Sequence, residues 1–550
     1  MATVTVMATA TGMVMVMAPS AADPMRGDKR SAGEPHFPSE AARPRQPRPL
    51  LAACAWRAGA LLWAAAFPTY AENWHVTPTL AVSATLSDNV FLSPGGNRTS
   101  DLVTSLTPGI LIDGKGARGK LRLSYALTQN LYVRESSANN HRNALNAVGM
   151  LEAIEDWLFI DAMGNISQQY LTPLGAVSPG SNVNVNANQT ETSTYSVSPY
   201  IRGQIFSSMD YLLRYKAGIT RSQSGQGDMD SSEWQGKLSG NTRWGPLDWA
   251  IDVSRETTDY TRGRNLEATR YALTLLYRLS PQWQVWLSNG RESNNYVSQE
   301  QESNTTGSYG FVWTPDPRSK LAASKTRRFF GDGYSVEFSH RMPRSLWTYS
   351  ATRDVSFQPS NATSTSVGSN YDAIYSLVAA INPGMAPDAI RAQVIQFLQS
   401  RGLPVDGSVV NGYLSNTANL QKRQQFSVAL LGARNTVTLT ATQSEQQSLG
   451  VVSGATGSAA SADGTRQRGV GLSWAHQLSG LSALSLLLSQ QHSTSFVAGS
   501  PETTTRAAYL FLTTQISPKT SASVGLRRTV GSGVGGYTES ALSGGLSHSF

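Results

Sequence analysis

Few residues in this sequence have types and spacing suited to chemistry. Gly114-Lys115-Gly116-Ala117-Arg118-Gly119-Lys120 has the spacing of a phosphate loop. That motif needs a Ser or Thr after its lysine to reach Mg²⁺, and a helix behind it. Leu121 stands in that place, and the segment reads as a short turn. No HExxH stretch offers a zinc site, and no GxSxG elbow presents a serine nucleophile. The seven histidines, His36, His75, His141, His340, His476, His492 and His548, lack metal-ligand spacing. A Ser–His hydrolase would have to assemble in space, and without a motif the chain reads as non-enzymatic, with no cofactor. The one cysteine, Cys54, excludes a disulfide framework and a thiolate cluster. Leu51-Ala52-Ala53-Cys54 resembles a lipoprotein cleavage box, but its apolar run follows the cysteine instead of preceding it.

The basic residues are more informative. Arg318, Lys320, Lys325, Arg327, Arg328, Arg341, Arg344 and Arg353 fall within 36 positions, with Glu337 and Asp354 the nearby acids on the same runs. Facing a lumen, such residues would make a cationic lining that favours anionic solutes. The other reading is a set of interface anchors and turn charges. Alternation puts Arg328 and Arg341 at polar positions, as it does Arg122, Arg214, Lys216, Arg270 and Arg278. These seven are the candidate lumen-lining residues. Arg327 and Arg353 share parity with Phe329 and Val355, so alternation does not place them.

The elements that must position these side chains are strands. Only 15% of the 550 residues are charged, giving a net charge of +8, against about 25% charged in an ordinary soluble protein. Mean hydropathy is nevertheless −0.26, and no run of about 20 apolar residues marks a membrane helix. The excess of bases is too dilute for a nucleic-acid surface. In 121–133, Leu121, Leu123, Tyr125, Leu127 and Leu131 alternate with Arg122, Ser124, Ala126, Thr128 and Asn130. Period two sends these sets to opposite faces of a strand. The same pattern recurs down the chain, around Leu80, Leu213, Ile251, Leu273, Val336, Leu439 and Leu472. Alternation is poor only in stretches such as 141–170 and 230–246. Short turns alternate with longer polar loops, 172–189 and 448–465 among them. This predicts an all-β fold: a transmembrane antiparallel β-barrel of about 22 strands, within roughly 18–24. An open sheet edge would leave unpaired backbone groups in lipid, so the sheet must close. A soluble β-helix or a set of β-sandwiches is the alternative.

Residues 1–71 read as a pre-sequence with a secretory signal. Arg43, Arg45 and Arg48 precede the apolar run Ala58–Phe67, and Thr69-Tyr70-Ala71 predicts cleavage after Ala71. Met25 is an alternative start. The barrel is then expected over 72–550, interrupted by an insertion at 359–418. There Ile374, Leu377, Val378 and Ile381, then Ile390, Val394, Phe397 and Leu398, have helical spacing. Asn382-Pro383-Gly384 separates the two runs, which predicts a helical hairpin. Strand parity puts it between strands 15 and 16 on the outer side. The open readings are a packed external loop, a plug in the lumen, or, with parity reversed, a periplasmic docking surface.

The last strand ends in Phe550. Ser543, Gly545, His548 and Phe550 are spaced like the C-terminal signal read by the outer-membrane barrel assembly machinery, with His548 where an aromatic is usual. Near the other end stand Trp74-His75-Val76-Thr77-Pro78, Leu86-Ser87-Asp88-Asn89-Val90-Phe91-Leu92 and Thr107-Pro108-Gly109-Ile110. This set resembles the outer-membrane β-barrel proteins associated with PEP-CTERM/exosortase systems, barrel porins found near exopolysaccharide synthesis genes. The motif covers about 40 residues, and the general barrel layout covers 72–550. The resemblance implies a Gram-negative outer-membrane component of an exopolysaccharide or surface-protein system. It carries no functional residues over to this chain.

The function expected from the sequence is a porin-like conduit in the outer membrane, tied to exopolysaccharide export. Its partners would be outer-membrane lipid, the barrel assembly machinery and polysaccharide or export-system proteins, with no nucleic acid. The alternatives are a general diffusion porin and a non-conducting structural or adhesive barrel.

Overall fold

The computed structural model describes residues 73–179, 181, 183–206, 208–242, 245–356, 413–449, 464–497, 499–533 and 535–550. The leader expected over 1–71 and the helical hairpin expected after Asp372 lie outside the described residues. Among the described residues the helical structure is one 3-10 turn, Ser136–Ala138.

Alternating sequence becomes 22 antiparallel strands. They are β1 (Asn73–Ser87), β2 (Asp101–Lys115), β3 (Gly119–Tyr132), β4 (Asn140–Ile154), β5 (Leu158–Tyr170), β6 (Gln189–Ile205), β7 (Met209–Ser222) and β8 (Met229–Asn241). There follow β9 (Leu247–Tyr260), β10 (Asn265–Arg278), β11 (Trp283–Asn294), β12 (Glu302–Asp316), β13 (Ser319–Arg328), β14 (Gly331–Met342) and β15 (Ser345–Ser356). The last seven are β16 (Asn419–Leu431), β17 (Asn435–Ser448), β18 (Thr465–Gln477), β19 (Ser482–Ser495), β20 (Thr503–Ser517), β21 (Thr520–Ser532) and β22 (Tyr537–Ser549). Each strand pairs with its sequence neighbours, and β1 pairs with β22 from Thr79–Ser549 to Ser87–Ala541. The sheet is therefore a closed barrel, and no edge is left to satisfy.

The connections sort by end. Tight turns link even strands to the next odd strand, as at 116–118, 317–318 and 518–519. The other rim carries 88–100, 171–188, 357–418 and 449–464. The chain leaves β15 and enters β16 at this rim, where parity puts the ends of the expected insertion; 357–412 lie outside the described residues. Not every connection there is long: β13 and β14 are joined by Phe329 and Phe330 alone.

Residues opposite each other on paired strands share a face. One face is apolar and open: Tyr271, Leu273, Leu275 and Tyr277 of β10 are 42–48% exposed. The other face is polar. Residues 141–170 and 230–246 alternate poorly because the polar face there includes Val148 and Met163, opposite each other on β4 and β5. In β8, Asp230 and Ser232 take the face of Trp234. The polar face is the inner one. Segments that bridge strands far apart around the ring pack on it, as described below. Small residues let the wall close: a Cβ on Gly290 would collide with the Tyr271 carbonyl.

Aromatic residues on the outer face collect near the short-turn rim. Trp283 stacks on Trp313 at 5.4 Å, Trp347 meets Phe426 at 6.1 Å, and His548 meets Phe550 edge-on at 4.7 Å. Amphipathic rings in this position match the girdles that barrels place at a membrane–water boundary.

Candidate functional site

All seven cations predicted to line a lumen share the inner face, and acids stand opposite or beside most of them. Arg122 of β3 pairs with Asp113 of β2 at 2.9 Å. Arg214 of β7 reaches Asp161 of β5 at 3.3 Å and covers the Tyr200 ring at 4.2 Å. Arg278 of β10 is ion-paired with Asp248 of β9. Arg270 of β10 and Arg328 of β13 converge on Glu292 of β11, at 3.2 and 2.6 Å. Arg328 also reaches Asp354 of β15. Lys216 stands beside Glu233 in the pairing of β7 with β8. Arg341 stands opposite Leu346 of β15, and its backbone N–H donates to the Arg318 carbonyl at 2.8 Å.

The inner wall of β5–β15 is therefore a mixed-charge surface. The acids come from adjacent or next-but-one strands, and the register of the ladder sets them against the cations. Glu292 has no exposed surface, so its two arginines are what make its burial tolerable. Sequence reading missed Glu292, although its parity, shared with Ser288 and Gly290, was available as a signal. The basic cluster at 318–353 divides between the faces. Lys325 and Arg327 stand opposite Tyr334 and Asp332, and Arg353 stands opposite Tyr334, all on the outer face.

The inner wall of β16–β19 differs. Gln425, Ser427, Thr438, Thr440, Ser473 and Ser485 present hydroxyls and amides with almost no charge. The wall is thus two sectors, one of paired charges and one of neutral hydrogen-bonding groups.

Two segments cross the long-loop end on the inner side. The first is 171–188, between β5 and β6. Its base is closed by the Leu171 N–H donating to the Asn188 carbonyl at 2.9 Å and by the Asn188 side chain bonding Thr172. From there it runs along the inner wall past β3 and the β1–β22 seam to β20. The Tyr132 hydroxyl of β3 donates to the Val183 carbonyl at 2.6 Å, and Val185 N–H donates to the Val90 carbonyl at 3.0 Å. Thr503 and Tyr509 of β20 donate to the carbonyls of Leu174 and Pro179, and Tyr537 of β22 donates to that of Val177.

At its centre Asn184 Nδ2 donates to Glu539 Oε1 at 3.0 Å, while Arg527 donates to both oxygens of Glu539 and to Asn184 Oδ1. Ser87 Oγ of β1 adds a bond to the same carboxylate at 2.9 Å. Glu539 and Asn184 are buried. Sequence reading took 172–189 for a long outer loop. Its tyrosine and Glu–Arg anchors lie in other strands, which is why nothing local identified it.

The second segment is 413–418, which leads into β16. Leu414 N–H donates to the Tyr170 carbonyl of β5 at 3.2 Å, and Gln226 of the β7–β8 loop donates to the Leu414 carbonyl at 2.8 Å. Ala418 packs with Met229, Tyr260, Leu266 and Tyr296. The end of the insertion thus reaches from β16 to strands on the far side of the mouth.

The predicted assembly signal lies in the closing strand. Ser543 and Gly545 face Thr85 and Ser83 of β1, His548 faces Leu80, and Phe550 N–H donates to the Pro78 carbonyl at 2.9 Å. Among the described residues no group of three or more His, Cys, Asp or Glu side chains could hold a metal ion.

No family model matches the chain, and no curated protein matches it. Several solved structures are similar to it. The FrpB iron transporter from Neisseria meningitidis (F5-1 variant) is 8% identical, with 86% of this chain and 82% of that one covered and a TM-score of 0.43. The siderophore receptor PirA from Pseudomonas aeruginosa is 8% identical, with 86% and 80% covered and a TM-score of 0.37. A BenF-like porin from Pseudomonas fluorescens Pf-5 is 7% identical, with 86% and 99% covered and a TM-score of 0.33.

Proposed function

We propose that this chain is an integral outer-membrane barrel acting as a porin-like conduit, narrowed from inside by the segment 171–188. The observation that carries the reading is the position of that segment, bonded to the inner faces of β3, β20, β21 and β22 and to the loop after β1. A loop held against one wall reduces the bore without sealing it. The closed sheet, the open apolar outer face and the aromatic girdle support a lipid setting. The long-loop rim then faces outside the cell.

Transport would be passive. A solute would move between the paired-charge wall of β5–β15 and the neutral wall of β16–β19. A tie to exopolysaccharide export is the finer reading. The uncharged hydroxyl and amide wall supports it, because a neutral glycan can exchange hydrogen bonds there without displacing ion pairs. A general diffusion porin fits the same wall.

Conductance of the purified, refolded full chain in planar bilayers tests the conduit. A sealed bilayer under all voltages would overturn it. Partial current block by neutral oligosaccharides, absent with small salts alone, would favour the glycan reading over general diffusion.

A further inference from the structure

The outer face of the barrel carries a second charged feature that conduction does not use. On the strands near the short-turn rim, charged side chains point inward, as Lys120, Lys320 and Arg341 do. Near the long-loop rim they appear on the outer face, and their balance changes around the ring. On β7–β10 the bases have acids beside them: Arg221 pairs with Asp230 and Arg255 with Glu267. From β13 to β21 bases dominate. Lys325 pairs with Asp332 at 2.7 Å, and Arg466 and Lys422 share Glu445 at 2.9 and 3.7 Å. Among the described residues Arg327, Arg353, Arg468, Arg506 and Arg528 form no ion pair with a carboxylate.

Three details make this row a surface prepared for anions. Arg353 and Lys422 stand directly opposite each other on β15 and β16. Glu445 offsets Lys422, whereas among the described residues Arg353 has only the Asp332 carbonyl and the Phe330 ring beside it, so its charge is left for an anion. Arg468 and Arg506 each use Nε to hold a glutamine one strand away, Gln443 and Gln490, both at 3.2 Å. Both residues are exposed, so their guanidinium forks are open to phosphate oxygens from outside the sheet. The row also lies at a definite height. Val470 is two positions below Arg468 and Leu526 two below Arg528, both 53% exposed on the same face. Two positions of strand are about 7 Å, the step from acyl chains to a headgroup.

We propose that the outer face of β13–β21 binds the phosphate groups of a glycolipid in the outer leaflet, of lipid A type. The apolar band takes the acyl chains, and the arginine row takes the phosphates. This rests on the long-loop rim facing outside the cell, but not on conduction, so a sealed barrel would leave it standing.

The experiment uses the purified full chain in neutral detergent and follows its apparent Tm on adding diphosphoryl lipid A. Dephosphorylated lipid A, phosphatidylglycerol micelles and inorganic phosphate are the comparison probes. The expected result is a concentration-dependent rise with diphosphoryl lipid A alone. In the triple variant Arg353→Gln, Arg468→Gln, Arg506→Gln, the concentration for half the rise should increase about tenfold or more. The variant Arg221→Gln, Arg255→Gln, on the balanced sector, should behave as the parent. An equal rise with any comparison probe would overturn the proposal, as would an unchanged response in the triple variant. If heat-modified migration shows the triple variant unfolded, the pair Arg468→Gln, Arg506→Gln is read by the same criteria.

Discussion

Asn184 and Glu539, 355 positions apart in sequence, are joined by a 3.0 Å hydrogen bond inside the barrel. Arg527 clamps the same carboxylate from the neighbouring strand. This contact fixes the tip of an 18-residue connection, 171–188, to the closing strand of the sheet.

Removing the carboxylate tests that lock. Glu539→Ala would leave Arg527 buried without its partner, at a cost of about 3–5 kcal/mol. Replacing both by leucine should cost far less, because no buried charge is left unpaired. Urea unfolding of the two refolded variants measures the difference. Equal losses would mean that the pair contributes only packing.

Shortening the constriction should widen the path. Deleting 174–184 is expected to raise single-channel conductance by about twofold or more, with β-sheet content unchanged. Unchanged conductance would show that the narrowest point lies elsewhere, with 413–418 the next segment to alter.

The inner-wall ion pairs should set ion preference. Glu292→Gln leaves Arg270 and Arg328 without their shared carboxylate, so permeability should shift toward anions. Arg328→Gln with Arg341→Gln should shift it toward cations. Reversal potentials in a salt gradient read both, and an unaltered ratio in both variants would count against a selectivity role.

The assignment of faces can be checked by matched substitutions in the middle of two strands. Leu526→Arg places a charge in the apolar band and should cost about 2–4 kcal/mol. Ser489→Arg, on the inner face of β19, should cost much less. Comparable losses at the two sites would contradict the faces described here.

The division between sequence and tertiary structure is visible in single residues. Alternation alone put Arg122, Arg270 and Arg328 on the polar side of their strands, because period two is a property of one strand and needs no neighbour. It also implied closure, since unpaired edges are intolerable in lipid. The order of short turns and long loops then placed the 357–418 connection on the long-loop rim.

What alternation could not supply is who stands opposite whom. Glu292 meets Arg328 across 36 positions, and Asn184 meets Glu539 across 355. Arg353 shares parity with an aliphatic residue, and only the register beside Tyr334 put it outside. The strands were legible because each buries or exposes its faces by a local rule. The constriction, the charge pairing and the outer arginine row belong to the closed ring, whose register and curvature decide which distant side chains meet.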